Sequence, residues 1–247
     1  MAASPAGLAA AADCKEGLQV PGGGDPAAIS PLELRYQGIT GAQIFAELLA
    51  HNRLRDAHLQ HYSAVRTYSV CNDKSKLYAE EVVTVNYQAP GRKTFVTDSE
   101  NGSRIVRDLV LKPLMASETE TASGQGHRDS SIIPANYSFE VAGEQDLGPY
   151  HCFVVEATPA RKDKYLFRGR IWLDRADYGI VRIAGSPAKS LSFWIKRAEF
   201  VRQYQKIGEF WLPARDETVV AIRLYGKKLL TIDYQNYAIG GGAGSSP

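Results

Sequence analysis

Apolar and polar positions change period along the chain. Between Thr40 and Asn52 they follow a helix, with Ile44, Phe45, Leu48 and Leu49 in one stripe. Thr40 and Gln43 make a capping box, and Ile39 with Ile44 fits the apolar staple across the first turn. Leu54 falls off the stripe, so the helix is expected to end or turn near Asn52. A period of two follows. Tyr62, Ala64, Arg66, Tyr68 and Val70 alternate with Ser63, Val65, Thr67 and Ser69, which predicts a strand. Leu77–Tyr87 and Lys93–Val96 read as two more, joined by the turn Ala89-Pro90-Gly91, and Asn101-Gly102 marks another turn. Helical spacing returns at Ile105, Val106, Leu109 and Val110 behind Ser103 as a cap, and Pro113 should end or kink that helix. Residues 116–135 are small and polar, and predict a long loop that is either a functional flap or disordered.

From Tyr137 onward strand follows strand: Tyr137–Val141, Tyr150–Ala157, Tyr165–Asp174, Tyr178–Ala184, Leu191–Tyr204, Glu209–Tyr225 and Lys228–Tyr237. The connectors are short, such as Lys206-Ile207-Gly208 and Gly226-Lys227. Short connectors make hairpins, because a parallel crossover needs a dozen or more residues. The expected fold class is therefore mainly β (α+β), an antiparallel meander curved into a large sheet with a few helices. Residues 1–33 read as a flexible lead-in, 34–239 as one domain and 240–247 as a disordered Gly/Ser-rich tail.

The strand Tyr165–Asp174 has one apolar face of Tyr165, Phe167, Gly169, Ile171 and Leu173. Its other face sets Arg168 and Arg170 beside Leu166 and Trp172, and reads as a solvated face with snorkelling arginines. Phe193-Trp194 and Phe210-Trp211 are adjacent aromatic pairs whose members point to opposite faces, so both sides of the sheet are locally apolar.

Composition narrows the function classes. The 247 residues are 44% hydrophobic and 23% charged, which excludes global disorder. No segment reaches the ~18 apolar residues of a membrane-spanning helix. The balance of 29 basic against 27 acidic residues argues against a dedicated nucleic-acid binder. Thirteen Tyr, eight Phe and three Trp against two Met suit a β-rich interior. Cys14, Cys71 and Cys152 form no C-x-x-C pattern; they read as small buried thiols, or as a Cys71–Cys152 pair with Cys14 left over if the chain is exported. Residues 1–30 lack the apolar core of a signal peptide, so the chain is either cytosolic or exported with its signal removed.

Candidate chemistry is sparse. G-x-S-x-G, H-E-x-x-H, Walker and G-x-G-x-x-G patterns are absent. His51, His58 and His61 have no carboxylate or cysteine spacing that completes a metal site, and no cofactor is expected. Asp174 and Asp177 flank a hairpin turn and read as turn chemistry.

The run Cys152-Phe-Val-Val-Glu-Ala-Thr-Pro159, with Arg170-Ile-Trp-Leu-Asp174 and Ile180-Val-Arg-Ile183, resembles the outer-membrane lipoprotein-sorting proteins of Gram-negative bacteria (LolA/LolB-like). So do Gly208-Glu-Phe-Trp-Leu-Pro213, Ile232-Asp-Tyr-Gln-Asn-Tyr237, and the helix running straight into a long strand over Thr40–Cys71. The resemblance covers about residues 38–239. It implies an incomplete antiparallel β-barrel with helices capping the concave side, an apolar cavity for acyl chains, a periplasmic home and no cofactor. The long lead-in and the polar segment 116–135 depart from the well-studied carriers, and their functional residues do not map here one by one.

The expected function is a non-enzymatic periplasmic carrier that holds a lipid or a lipoprotein by its acyl chains. The alternative is an interaction or envelope-stress sensor module of the same fold, with a protein of the envelope as partner. The candidate cavity residues are Phe167, Ile171, Phe193 and Trp211. Phe167 and Ile171 share a strand face, whereas strand register decides whether Phe193 and Trp211 join them or Trp194 and Phe210 point inward instead.

Overall fold

The capping box written at Thr40 forms: the Thr40 hydroxyl accepts the Gln43 N–H at 3.2 Å, and Gln43 Oε1 accepts the Thr40 N–H at 2.8 Å. In this computed structural model, which describes residues 29–72, 74, 76–122, 124–190, 195–224 and 226–240 together with Cys14, α1 (Gly41–His58) starts there. It runs on past Asn52, because the chain must carry Leu59 to a buried site against Tyr62, Ala64 and Phe210. Arg55 and His58 suit the negative end of the helix dipole in the last turn.

Ten strands follow: β1 (His61–Asn72), β2 (Leu77–Gln88), β3 (Arg92–Gly102), β4 (Tyr137–Leu147), β5 (Tyr150–Pro159), β6 (Phe167–Asp174), β7 (Ile180–Pro187), β8 (Ile195–Ile207), β9 (Phe210–Ile222) and β10 (Gly226–Gly240). They form one antiparallel sheet in the order β3-β2-β1-β10-β9-β8-β7-β6-β5-β4. Every pairing joins neighbours in sequence except β1 with β10, which runs from His61 opposite Gly240 to Asn72 opposite Lys228. The sheet does not close, and β3 and β4 are its edges. The expected fold class, mainly β with an incomplete antiparallel barrel, is what forms. β3 runs well past Val96 and ends at Gly102, whose φ is 74°. A side chain there would meet the Tyr78 backbone, since a Cβ would lie 2.3 Å from its carbonyl oxygen.

The second helical stretch departs from expectation. It is α2 (Arg104–Val106) capped by Ser103, a π turn over Arg107–Leu111, and α3 (Lys112–Thr121). Pro113 does not end the helix. It sits in the first turn of α3, where its missing N–H is tolerated, and the wider π turn just before it absorbs the change of register. The segment 116–135 is correspondingly not a loop, for α3 reaches Thr121 and α4 covers Gly124–Ser130. Its helicity comes from packing, because Leu111 and Met115 are buried on the sheet beside Tyr68, Val70, Val83 and Val85.

One row of directly paired residues crosses all ten strands: Val141, Val155, Ile171, Ile183, Arg202, Asp216, Ile232, Tyr68, Glu81 and Glu100. Paired residues share a face. α1 packs Ile44, Phe45 and Leu48 on Val155, Ile171 and Ile183 at one end of the row. Leu111 and Met115 pack on Tyr68 and Ile232 near the other. Both helical stretches therefore cover the same face, as expected.

The opposite face is also buried. Cys152, Val154, Trp172, Val181, Ala184, Val201 and Trp211 cluster there with Ile29 against them, and Cys71, Val219 and Leu229 cluster with Cys14. Trp172 is thus core with Arg182 over its ring, while Arg170 pairs with Glu156 at 2.6 Å. The disulfide is Cys14–Cys71, and Cys152 is a buried free thiol. A Cys71–Cys152 bond is geometrically impossible: β1 and β5 stand six places apart in the sheet, on the order of 29 Å at about 4.8 Å per strand. Burial raises the Cys152 thiol pKa to about 12, so it stays an unreactive thiol. The rest of the expected lead-in before Ile29, and the tail beyond Gly240, lie outside the described residues.

Leu48 is fully enclosed between α1 and the sheet. Leu48→Ala should lower unfolding stability by about 2–5 kcal/mol in a urea titration, the cost of lost burial plus a cavity.

Candidate functional site

The helix-covered face carries charge at its centre. On β8 and β9, Arg202 Nε donates to both carboxylate oxygens of Asp216, at 2.9 and 3.0 Å. The Tyr234 hydroxyl on β10 donates to the same carboxylate at 3.0 Å. Tyr234 pairs in register with Arg66 on β1, and the Arg66 guanidinium lies over the Tyr234 ring, 4.7 Å from its centroid. Arg66 Nη1 donates to Glu118 of α3 at 2.7 Å and to the Tyr68 hydroxyl at 3.2 Å. Lys93 Nζ on β3 donates to the other Glu118 oxygen at 2.7 Å. Polar contacts thus run from β8 to β3 along one face, and Glu118 ties α3 into them. Tyr62 and Tyr237 flank the group, with the Tyr237 hydroxyl donating to the Pro213 carbonyl at 2.8 Å.

Electrostatics keeps these groups ionised. Burial alone would raise the Glu118 pKa, but Lys93 and Arg66 outweigh it and hold the carboxyl at about 2. Burial works against the Arg66 charge too, and Glu118 with the Tyr234 and Tyr68 oxygens reverses that. Asp216 holds Arg202 well above the ordinary guanidinium value against the desolvation of its surroundings. Burial pushes the Tyr68 hydroxyl up to about 12, and raises those of Tyr62, Tyr204, Tyr234 and Tyr237 as well.

Arg202 stands out in this region. Its side chain keeps 46% of its surface accessible, yet the protein around it desolvates its charge. Arg202 is thus a charged group with solvent access on a face that is otherwise largely covered. Arg66, by contrast, is only 1% exposed. Phe200, Tyr204, Leu230 and Tyr237 also keep part of their surface accessible and form an open patch with Arg202.

Register separates the candidate cavity residues. Phe167 and Ile171 lie under α1 in a filled core, with the Phe167 ring 5.6 Å from that of Phe200. Trp211 does not join them. It packs on the opposite face with Trp172 and Val201, and its Nε1–H donates to Asp177 at about 3.0 Å. Phe210 points to the helix side instead, against Leu59, Tyr62 and Ala64. Phe193 and Trp194 lie outside the described residues.

Asp177 behaves as a turn residue, accepting from the Gly179 N–H at 2.9 Å and Lys206 at 2.8 Å. The histidines go separate ways: His58 faces Glu209 at 3.1 Å, while His51 lies near Asp177, its pKa lowered by burial. Arg66, Lys93, Glu118, Arg202 and Asp216 had not stood out in the sequence. One signal was present, an arginine at an inward position between Ala64 and Tyr68.

Solved structures similar to this chain include an outer-membrane lipoprotein-sorting domain and a LolA superfamily protein. A domain assigned to outer-membrane lipoprotein sorting in Vibrio parahaemolyticus is similar at 14% identity over 82% of this chain and 95% of that one, with a TM-score of 0.49. A LolA superfamily protein from Nitrosomonas europaea is similar at 8% identity over 83% and 96%, TM-score 0.40. The Pseudomonas aeruginosa MucA/MucB complex contains a chain similar at 10% identity over 80% and 100%, TM-score 0.28. No protein-family model and no curated protein matches the sequence.

Because the folded-state pKa of Glu118 is depressed, the stability it contributes is present above the ordinary glutamate value and is lost as pH falls. Melting temperature should therefore drop between about pH 5 and pH 2. Glu118→Gln should melt lower at neutral pH, by about 3–5 kcal/mol of stability, because Arg66 and Lys93 lose their buried counter-charge. It should also show a shallower acid limb, and an unchanged limb would disprove the assignment.

Proposed function

We propose that this protein is an exported binding protein of the bacterial envelope that holds an amphiphile, a lipid or a lipoprotein's acyl chains, on the helix-covered face of its open sheet. Its role on this reading is to hold and release, not to transform. The observation that supports it most is the open patch on the helix-covered face, where Phe200, Tyr204, Leu230 and Tyr237 keep accessible surface beside Arg202. An acyl chain laid against such surface gains about 0.8 kcal/mol per buried methylene. The Cys14–Cys71 disulfide supports a home in an oxidising compartment such as the periplasm.

The second reading, an interaction or envelope-stress module that takes a protein segment, is favoured by one observation. The core beneath α1 is filled by the protein's own side chains, with Ile44, Leu48 and Ile171 fully enclosed, so acyl chains have no room there. On the carrier reading the ligand lies on the open patch further along the face.

Displacement of a neutral fluorescent probe by alkyl amphiphiles separates the two. The carrier reading predicts a loss of affinity of roughly fourfold for each methylene removed. Phe200→Asp should weaken that binding and lower the melting temperature as well, because the ring also packs edge-on against Phe167. Protein that neither displaces the probe with any chain length nor carries lipid in native mass spectrometry would leave the interaction module.

A further inference from the structure

Arg202 stands near the middle of the row that crosses the sheet, and its ion pair is carried by one edge of the guanidinium. Nε serves both oxygens of Asp216, at 2.9 and 3.0 Å, and Tyr234 supplies that carboxylate with a further donor at 3.0 Å. The Tyr204 hydroxyl, two residues along the strand, also interacts with the guanidinium. An arginine used only as a structural counter-ion turns its two-nitrogen fork onto the carboxylate. Here Nε alone holds Asp216, and the side chain remains 46% accessible on the helix-covered face.

The surroundings are apolar on one side. Phe200 precedes Arg202 by two residues on the same strand face. Phe200 is paired with Thr218, and Thr218 with Leu230, so Leu230 lies on that face too. Both large side chains are half-buried. An orphan donor belongs to the same face: the buried Nε of Arg66 has no partner among the described residues. Asp216 keeps Arg202 charged across the accessible pH range.

On the reading that this face holds an amphiphile, we propose that Arg202 receives the ligand's anionic head, a carboxylate or a phosphate monoester, while the apolar chain lies over Phe200 and Leu230. A planar fork whose N–H donors are not used on Asp216 matches two oxygens of either group, with the neutral Tyr204 hydroxyl beside it as the one contact to give way. Asp216 orients the guanidinium from behind and is not itself the contact. An uncharged head of the same chain length leaves those donors unpaired and so binds more weakly.

The test compares dodecanoate, dodecyl phosphate and dodecanol as displacers of N-phenyl-1-naphthylamine from the full chain at about pH 8, where both anions are ionised. The expected result is an advantage of at least about tenfold for one or both anions over the alcohol. Arg202→Met should bring that ratio close to one, and Arg202→Lys should keep part of it. Whichever anion has the larger advantage separates a free carboxylate from a phosphate head. A parent that binds dodecanol as tightly as the anions, or an Arg202→Met protein that keeps the preference, overturns the headgroup proposal and leaves the amphiphile reading standing. A parent that binds none of the three overturns both. Should Arg202→Met fail to fold, the parent decides alone. Its preference for dodecanoate must shrink as pH falls to about 4, where most of the ligand carboxylate is protonated and the arginine stays charged. A preference that is undiminished there overturns the proposal.

Discussion

The pairing of β1 with β10 is the constraint on which the rest depends. All other neighbours in the sheet are neighbours in sequence and could form as local hairpins. Without that pairing the chain would be two separate meanders, β1–β3 and β4–β10, each with an extra open edge. Closing it brings residues well over a hundred positions apart into register, Arg66 against Tyr234 and Tyr68 against Ile232. The polar centre of the face exists only because of it: Asp216 and Tyr234 come from the second meander, Arg66 and Lys93 from the first. Such a pairing carries the largest loop-closure cost in the fold, so it should be among the last to form.

A buried charge has to be answered by another, and that requirement explains why α3 lies where it does. Arg66 is nearly inaccessible, so leaving it unpaired would cost several kcal/mol. Glu118 answers it from the helix, and Lys93 shares the same carboxylate from the edge strand. The apolar contacts of Leu111 and Met115 hold the helix down, and the ion pairs set its position along the sheet. A helix of only ten residues, too short to be stable alone, is thereby held by what it touches. The same face divides into a sealed apolar part under α1, a charged centre under α3 and a patch where Arg202 remains accessible.

The opposite face is tied down separately. Ile29 packs on the Trp172 cluster, and Ser30 makes two 2.8 Å backbone hydrogen bonds with Glu144. Arg175 holds Glu33 and Glu144 at about 3 Å, beneath the Tyr36 ring. Cys14 is bonded to Cys71 at the far end of that face. Both faces of a sheet this wide are apolar, so the chain ahead of α1 has a packing role as well as a connecting one.

How much of this was written in the sequence depends on the range of the interaction. The α1 start, the strand succession, the hairpin connectors and the antiparallel sheet were legible, because capping and period-two burial are local and show as spacing. That Phe167 and Ile171 share a face was legible for the same reason. The end of α1 and the helix across Pro113 were not, since both are decided by where Leu59, Leu111 and Met115 find a buried site. Nor was which member of the Phe210-Trp211 pair faces the helices, since that depends on strand register, and a register shift falls between Gln203 and Tyr204. The disulfide partner and the charged centre were invisible for a simpler reason: Cys14 and Cys71, Arg66 and Glu118, Arg202 and Asp216 meet only across strands or elements. Spacing along the chain carries no trace of such contacts. The sequence determined which stretches are strands and which residues can share a side; the tertiary structure alone decided which side the helices cover and which charge stays accessible there.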